Sequence, residues 1–226
     1  LGIVSEMRIR RMEPDVITYS AAISACEKGE QWHDALGMFS DMRLRRVEPD
    51  AVAYSAAISA CEKSAQGHEA LGLFSSMRLH NLDPDEITCN AAICASGANT
   101  QWREALSILS NMWFCRLQPD VTTFNAVISA CEQGAQWQQA MGMLANMQLR
   151  FLGSDVITYS AAIRACERGT HWHGAMSTFA DMWQRRVEPT VITYTGALEA
   201  CEKGGLSHGA CSVLGRLSAM CAQQQK

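Results

Sequence analysis

The sequence predicts an all-α chain, an α-solenoid of six helix-turn-helix repeats of 35 residues. Three observations carry this expectation. The phrase PDVITYSAAISACEKG, residues 14–29, returns as PDAVAYSAAISACEKS from Pro49, with further copies from Pro84, Pro119, Ser154 and Pro189. Within each phrase the apolar residues fall on one helical stripe. A second stripe follows each phrase at the same interval. Neither stripe can be buried within its own helix, so neighbouring repeats must stack.

The first helix of each repeat is read from Tyr19, Ala22, Ile23 and Cys26, spaced i, i+3, i+4 and i+7. The same stripe recurs as Tyr54, Ala57, Ile58, Cys61 and as Phe124, Val127, Ile128, Cys131. Pro14 and Asp15 mark its start, a turn former followed by a short acceptor suited to capping. Gly29 follows the last apolar position, where helices commonly stop. The second helix is read from Trp32, Ala35, Leu36, Phe39 and Met42. Its alanine never changes (Ala35, Ala70, Ala105, Ala140, Ala175, Ala210), as a close helix contact requires. A charged run, MRLRRVEPD in the first repeat, closes the cycle.

The repeats run 16–50, 51–85, 86–120, 121–155, 156–190 and 191–225, and are expected to form one continuous array. The chain opens LGIVSEMRIR, with Leu1 aligned to Leu36. Residues 1–15 therefore read as the tail of a truncated preceding repeat in a longer protein. Hydrophobic residues make up 48% of the 226, enough for a core, while aromatics at 7% suit close helix packing. The net charge of −4 gives no bulk nucleic-acid signal, so any basic footprint must be local. No apolar run reaches the length of a membrane span.

Ten cysteines raise the question of disulfides or zinc. Cys26, Cys61, Cys131, Cys166 and Cys201 share one slot in successive repeats. Stacked helices lie about 8–10 Å apart, beyond the roughly 7 Å Cα separation a disulfide spans. With no C-x-x-C, no H-E-x-x-H and no Cys/His cluster at zinc spacing, these read as reduced core residues. Neither a metal nor another cofactor is expected. His171-Trp172-His173 looks like a ligand pair, but residues two apart on a helix face different ways. Trp172 shares its slot with Trp32, Trp102 and Trp137, which points to packing; Gly67 and Ser207 should pack less well there.

PDV-x-TYS/N at the start, C-E-K-G at the first helix end, A-L-x-x-F-x-x-M in the second helix and P-D at the close resemble pentatricopeptide repeats of the plain 35-residue type. The resemblance covers essentially the whole chain. It implies a right-handed superhelix that binds single-stranded RNA along its inner groove, one base per repeat. It further implies that the fifth and last residues of each repeat read the base edge. Here those pairs are Ser20 with Asp50, Ser55 with Asp85, Asn90 with Asp120, Asn125 with Asp155, Ser160 with Thr190, and Thr195 with Gln225.

An ionised Asp only accepts hydrogen bonds, so it should favour guanine or uracil, whose Watson–Crick edges carry a ring N–H. A short Ser leaves room for a purine, and the longer Asn suits a pyrimidine. The first four repeats are therefore expected to prefer G-G-U-U. The last two, closed by Thr190 and Gln225, are left without an assigned base.

The resemblance also implies that the second residue of each repeat sandwiches bases: Ile17, Val52, Ile87, Thr122, Ile157 and Ile192. Without it, aliphatics in that slot read as core. Lys28, Lys63, Arg168 and Lys203 occupy the slot expected to meet phosphates, a series broken by Ala98 and Gln133. Local readings stand beside these: the aspartates as helix caps, Lys28 as a partner of the helix dipole or of Glu27. The arginines that end the second helices (Arg8, Arg10, Arg11, Arg43, Arg45, Arg46, Arg185, Arg186) read as solvated, dipole-matched termini.

Two function classes remain: a sequence-selective RNA-binding array in organellar RNA processing, and a protein-interaction scaffold without RNA specificity. Mitochondrion or chloroplast is an expectation of the resemblance alone. An enzyme is not expected, since H-x-E with C-x-x-C is absent and no acidic cluster stands outside the repeat pattern.

Overall fold

The computed structural model describes residues 6–7, 9–10, 12–98 and 100–205. From Val16 onward these form eleven α-helices: α1 Val16–Lys28, α2 Trp32–Leu44, α3 Ala51–Lys63, α4 Gly67–Leu79, α5 Glu86–Ala98, α6 Trp102–Phe114, α7 Val121–Gln133, α8 Trp137–Leu149, α9 Val156–Arg168, α10 Trp172–Gln184 and α11 Val191–Lys203. No strand occurs among the described residues. Odd-numbered helices are the first of each repeat and even-numbered the second. The expected second helix of the last repeat, with Ser207, Ala210 and Gln225, lies outside the described residues, as do Arg8 and Arg11.

The residues group into two compact units, Leu1–Asn99 with Glu104–Gln118, and Thr100–Arg103 with Pro119–Lys226. In each, the first helices pack on one another and on the second helix that follows.

Every aspartate read as a cap does cap. The backbone N–H three residues on donates to Oδ1 of Asp15 (2.9 Å), Asp50 (2.8 Å), Asp85 (2.8 Å), Asp120 (2.9 Å) and Asp155 (2.9 Å). Threonine hydroxyls at the same third position add a second donor to all but Asp50.

Helix ends reverse the chain through one repeated device. Gln31 N–H donates to Cys26 O at 2.9 Å and Glu30 N–H to Glu27 O at 3.1 Å, the double bond of a Schellman motif. The residue that takes positive φ is not the glycine. It is the one after it: Glu30 (55°), Ala135 (53°) and Thr170 (56°). Second helices end the same way, with Arg46, Asn81, Arg116, Phe151 and Arg186 between 55° and 60°.

The glycines serve a different purpose from the expected helix stop. At Gly169 φ is −81°, open to any residue, but a Cβ there would lie 2.5 Å from Trp137 Cδ1 of the preceding repeat. Gly204 meets Trp172 at the same distance, and Gly134 meets Trp102. The tryptophans of the second helices thus sit where the next repeat's first helix ends. Where tryptophan is replaced by Gly67, the glycine slot of the next repeat holds Asn99.

The C-terminal unit has a core shared by three helices. In the C-terminal unit Ile163 and Cys166 of α9, Ala175 and Phe179 of α10, and Tyr194, Ala197 and Ala200 of α11 form one buried cluster. Phe179 meets Tyr194 edge-on with centroids 5.3 Å apart, and Phe39 meets Tyr54 likewise at 4.8 Å. All five described alanines of the invariant slot are fully buried. Within α2, Leu36 is only half-buried and Met38 takes its expected place in the core.

The hydroxyl of Tyr19 donates to Asp41 Oδ2 (2.5 Å), and that of Tyr159 to Asp181 Oδ2 (2.7 Å), tying first helix to second. Burial, with Asp181 beside it, pushes the Tyr159 phenol up to about 12. Cys26, Cys61, Cys131, Cys166 and Cys201 are buried and unbridged. Burial raises the thiols of Cys61, Cys131 and Cys166 to about 11. His171 stacks on Trp137 (3.6 Å, 8°) with its ring 6.2 Å from that of His173, an aromatic role for both.

Candidate nucleic-acid interface

The second residue of each first helix is the most informative position. Buried β-branched residues are the norm in a helical core, yet these side chains are outside it. Ile17 is 76% exposed, Ile87 68%, Ile157 65%, Val52 57% and Ile192 56%, and Thr122 is exposed as well. The core reading of this slot is therefore excluded. Helix periodicity explains the placement: position two lies off the Tyr-Ala-Ile-Cys stripe, one turn before the fifth residue.

In the second repeat the slots converge. Val52, Ser55, Asp85 and Ile87 line a single cleft of about 370 Å³, together with Ser24, Glu27 and Ser59. Ser55 is half-buried and Asp85 exposed. The cleft thus offers two aliphatic walls, the hydroxyls of Ser24, Ser55 and Ser59, and the carboxylates of Glu27, Asp83 and Asp85.

In the first and fourth repeats the fifth and last residues meet directly. Ser20 Oγ lies 3.0 Å from Asp50 Oδ1 and donates to Val16 O at 2.8 Å. Asn125 Nδ2 approaches both carboxylate oxygens of Asp155 at 3.4 Å, and its Oδ1 accepts from Thr158 Oγ1 at 2.5 Å. Ser160 and Thr190 are joined through Thr193 Oγ1, at 3.0 and 3.1 Å. Thr195 is exposed and donates back to Val191 O. Asn90 is half-buried. Two fifth residues are more enclosed than a reading position suggests: Ser20 is 5% and Ser160 7% exposed.

The carboxylates of Asp120 and Asp155 are held ionised by their hydrogen bonds. Burial pulls Asp120 and Asp155 upward, but hydrogen bonds from Thr122 and Thr123, and from Thr158 and Asn125, outweigh it and hold both below the usual range. The contacts of Asp50 and Asp85 described above fall on Oδ1.

The cation slot is not a free basic row. Lys63 Nζ pairs with Glu27 of the preceding repeat at 2.7 Å, and Lys203 with Glu167. Arg168 Nη2 lies 3.5 Å from Glu132 Oε1, and its Nη1 donates to Gln133. Lys28 is exposed. Sequence reasoning missed these glutamates because they pair across repeats, 36 residues apart. It also missed Arg164, whose Nη2 lies 3.1 Å from Glu132 Oε2. The available signal was its slot, which holds Ser24, Ser59, Cys94 and Ser129 elsewhere.

Comparison with known families decides the lineage. The pattern described as a pentatricopeptide repeat domain matches residues 72–133 and 143–203, more than half of the chain. Related patterns, a PPR repeat family and a PPR repeat, match residues 14–63 and residues 52–82 with 122–150. The chain belongs to the pentatricopeptide repeat family.

No curated protein matches it. Among solved structures, the pentatricopeptide repeat protein PPR10 from maize is similar at 25% identity and a TM-score of 0.66, over 96% of this chain. PPR10 in complex with an 18-nt psaJ RNA element is similar at 19% identity and a TM-score of 0.72, over 94%. The PPR domain of Arabidopsis thaliana protein-only RNase P 1, in complex with tRNA, is similar at 17% identity and a TM-score of 0.63, over 72% of this chain and 86% of that one. This pentatricopeptide repeat chain spans about a third of PPR10, 31% and 34% in the two structures.

Proposed function

We propose that the chain binds single-stranded RNA, one base per repeat, and performs no chemistry of its own. The observation that supports this most directly is the cleft between Val52 and Ile87, with Ser55 and Asp85 at its edge. Exposed branched aliphatics are costly to leave in water, and a flat base inserted between two of them would cover both its faces. The Asp85 carboxylate, whose contacts described above fall on Oδ1, then accepts from the ring N–H of guanine or uracil. The RNA-bound PPR10 and the tRNA-bound RNase P domain, similar in fold, lend the reading their support.

In this reading Asp50, Asp85, Asp120 and Asp155 carry the edge contact. Ser20 and Ser160, being enclosed, act by leaving space rather than by bonding, while Ser55, Asn90, Asn125, Thr190 and Thr195 contribute polar groups. Ile17, Val52, Ile87, Thr122, Ile157 and Ile192 stack, each stacking contact contributing about 1–3 kcal/mol. The base preference of the first four repeats is G-G-U-U. Lys28 offers phosphate contact directly; Lys63 and Lys203 do so only by sharing their glutamates.

The experiment is selection from a randomised single-stranded RNA pool at two salt concentrations. Enrichment of G-G-U-U, with a change at the third base in Asn90→Ser, is the expected result. Flat selection at both salts would sink the reading.

A second reading, a protein-interaction scaffold, has its own support: Leu44 and Leu79 are 82% exposed and Phe114 is 90% exposed, in the same slot of successive second helices. Under it, Asn90→Ser would leave RNA selection unaltered. We place the protein in mitochondrion or chloroplast by family resemblance, although a similar structure is described as nuclear RNase P 2. A fluorescent fusion of the full-length parent tests the compartment. No helix among the described residues is long and apolar enough to cross a membrane.

A further inference from the structure

The cations expected to meet phosphates are matched charge for charge at two places. Glu27 neutralises Lys63, and Glu167 neutralises Lys203. The fifth repeat differs. Glu132, its side chain 1% exposed, faces two guanidiniums: Arg164 Nη2 at 3.1 Å from Oε2, and Arg168 Nη2 at 3.5 Å from Oε1. The latter is too long for a hydrogen bond, so Oε1 is held by charge alone. Both arginines remain about 40% exposed, 41% for Arg164 and 40% for Arg168. This station keeps one net positive charge, while those of Lys63 and Lys203 keep none.

Arg164 stands in the ninth slot of its repeat, held by Ser24, Ser59, Cys94 and Ser129 before it and by Glu199 after it. The neighbouring repeat has changed to fit. Its sixth slot is alanine in five repeats (Ala21, Ala56, Ala91, Ala126, Ala161) and glycine only at Gly196. A Cβ on Gly196 would come within 3.3 Å of both Arg164 Cγ and Ile163 Cγ2. A helix-interior glycine costs about 1 kcal/mol relative to alanine, and here it eases the contact with Arg164 and with Ile163 beside it. Arg164 is thus seated by Glu132 on one side and Gly196 on the other.

We propose that Arg164 and Arg168, pinned by the buried Glu132, form a phosphate clamp that takes a backbone phosphate of single-stranded RNA at the fifth repeat. The inference rests on the RNA-binding reading. Each guanidinium presents five donors in a planar fork; Glu132 engages one edge of each, Arg168 Nη1 also donates to Gln133, and Arg164 Nε is buried. The remaining donors suit the oxygens of a phosphate, and a guanidinium already held in place loses little freedom on binding it. The clamp compensates for the stations at Ala98 and Gln133, which carry no cation.

The test compares the whole chain with Arg164→Gln and Arg164→Lys. Anisotropy titrations use a short RNA carrying G-G-U-U and an oligouridine of the same length, each over a range of salt. Gln keeps a hydrogen bond for Glu132, and far-UV melting verifies that each variant is folded. The expected result is a roughly tenfold loss for R164Q on both RNAs. The slope of log affinity against log salt should fall by about 0.7, one phosphate contact on a single strand. Arg164→Lys should keep the slope. Wild-type affinity and slope in R164Q would overturn the clamp while leaving RNA binding intact. A loss confined to the G-G-U-U strand would also overturn it, since base reading is then the role. Failure of the wild-type chain to bind either RNA would remove the RNA reading itself, and the clamp with it.

Discussion

Replacing Gly169 with alanine would put a methyl group 2.5 Å from Trp137 Cδ1 and 3.1 Å from Ala165 O. Ordinary carbon contacts lie at about 3.5–4.0 Å, so the indole must retreat by roughly 1 Å. It cannot do so freely, because His171 is stacked on its face at 3.6 Å. Overpacking of this kind costs about 1–3 kcal/mol. Against it, φ of −81° is compatible with alanine, which gains about 0.4–1 kcal/mol by restricting the unfolded chain. The net expectation is a destabilisation of about 1–2 kcal/mol. In a Trp137→Ala background the clash with the indole vanishes and only the 3.1 Å approach to Ala165 O stands against the gain, so most of the cost should disappear. Urea titrations followed by far-UV circular dichroism on the four proteins of the cycle measure the coupling, expected at about 1.5 kcal/mol or more. A G169A chain as stable as wild type, or a cost undiminished without Trp137, would refute the account of why glycine stands there.

Three further outcomes follow from the same geometry. Thr170→Gly relieves a positive φ of 56° one residue later and should stabilise by roughly 1 kcal/mol in the same titration, opposite in sign to G169A. Ile157→Ser removes a side chain that is 65% exposed, so stability should change by less than about 0.5 kcal/mol, while RNA affinity, measured by anisotropy, drops about tenfold. Acid should weaken the fold in a defined window: Asp120, Asp155 and Asp181 titrate lower folded than unfolded. The stability they confer is therefore complete above the unfolded value near pH 3.9 and lost as pH falls through their depressed native values. Melting across pH 2–6 on Asp155→Asn and wild type should show the difference between them shrinking at the acid end.

The repeat period made the architecture readable from the letters, because one buried stripe every 35 residues leaves a helical solenoid little alternative. The capping aspartates were readable for the same reason: an N-cap is a contact within four residues. What escaped was contact between repeats. Gly169 looks like a helix stop because glycine usually is one; that it answers Trp137 is visible only when the two repeats stack. Lys63 looks available until Glu27 is beside it. Met38 rather than Leu36 is buried in α2, a choice of face that the letters of one repeat do not reveal. For the second-slot aliphatics the physics of burial pointed inward and the resemblance outward, and the exposure of Ile17, Ile87 and Ile157 sided with the latter. Arg164 was there to be noticed as a departure from its column, but its meaning required Glu132 and Gly196 around it.

The tryptophan–glycine contact moves the place where this molecule can be cut and rejoined. A cassette drawn along 121–155 would carry Gly134 into a new host without Trp102, and would carry Trp137 away from Gly169. Drawn along 102–136 instead, the segment brings lock and key together. Anyone shuffling such modules to recode the array should therefore splice just ahead of the tryptophan, so that each transplanted segment arrives already fitted to itself.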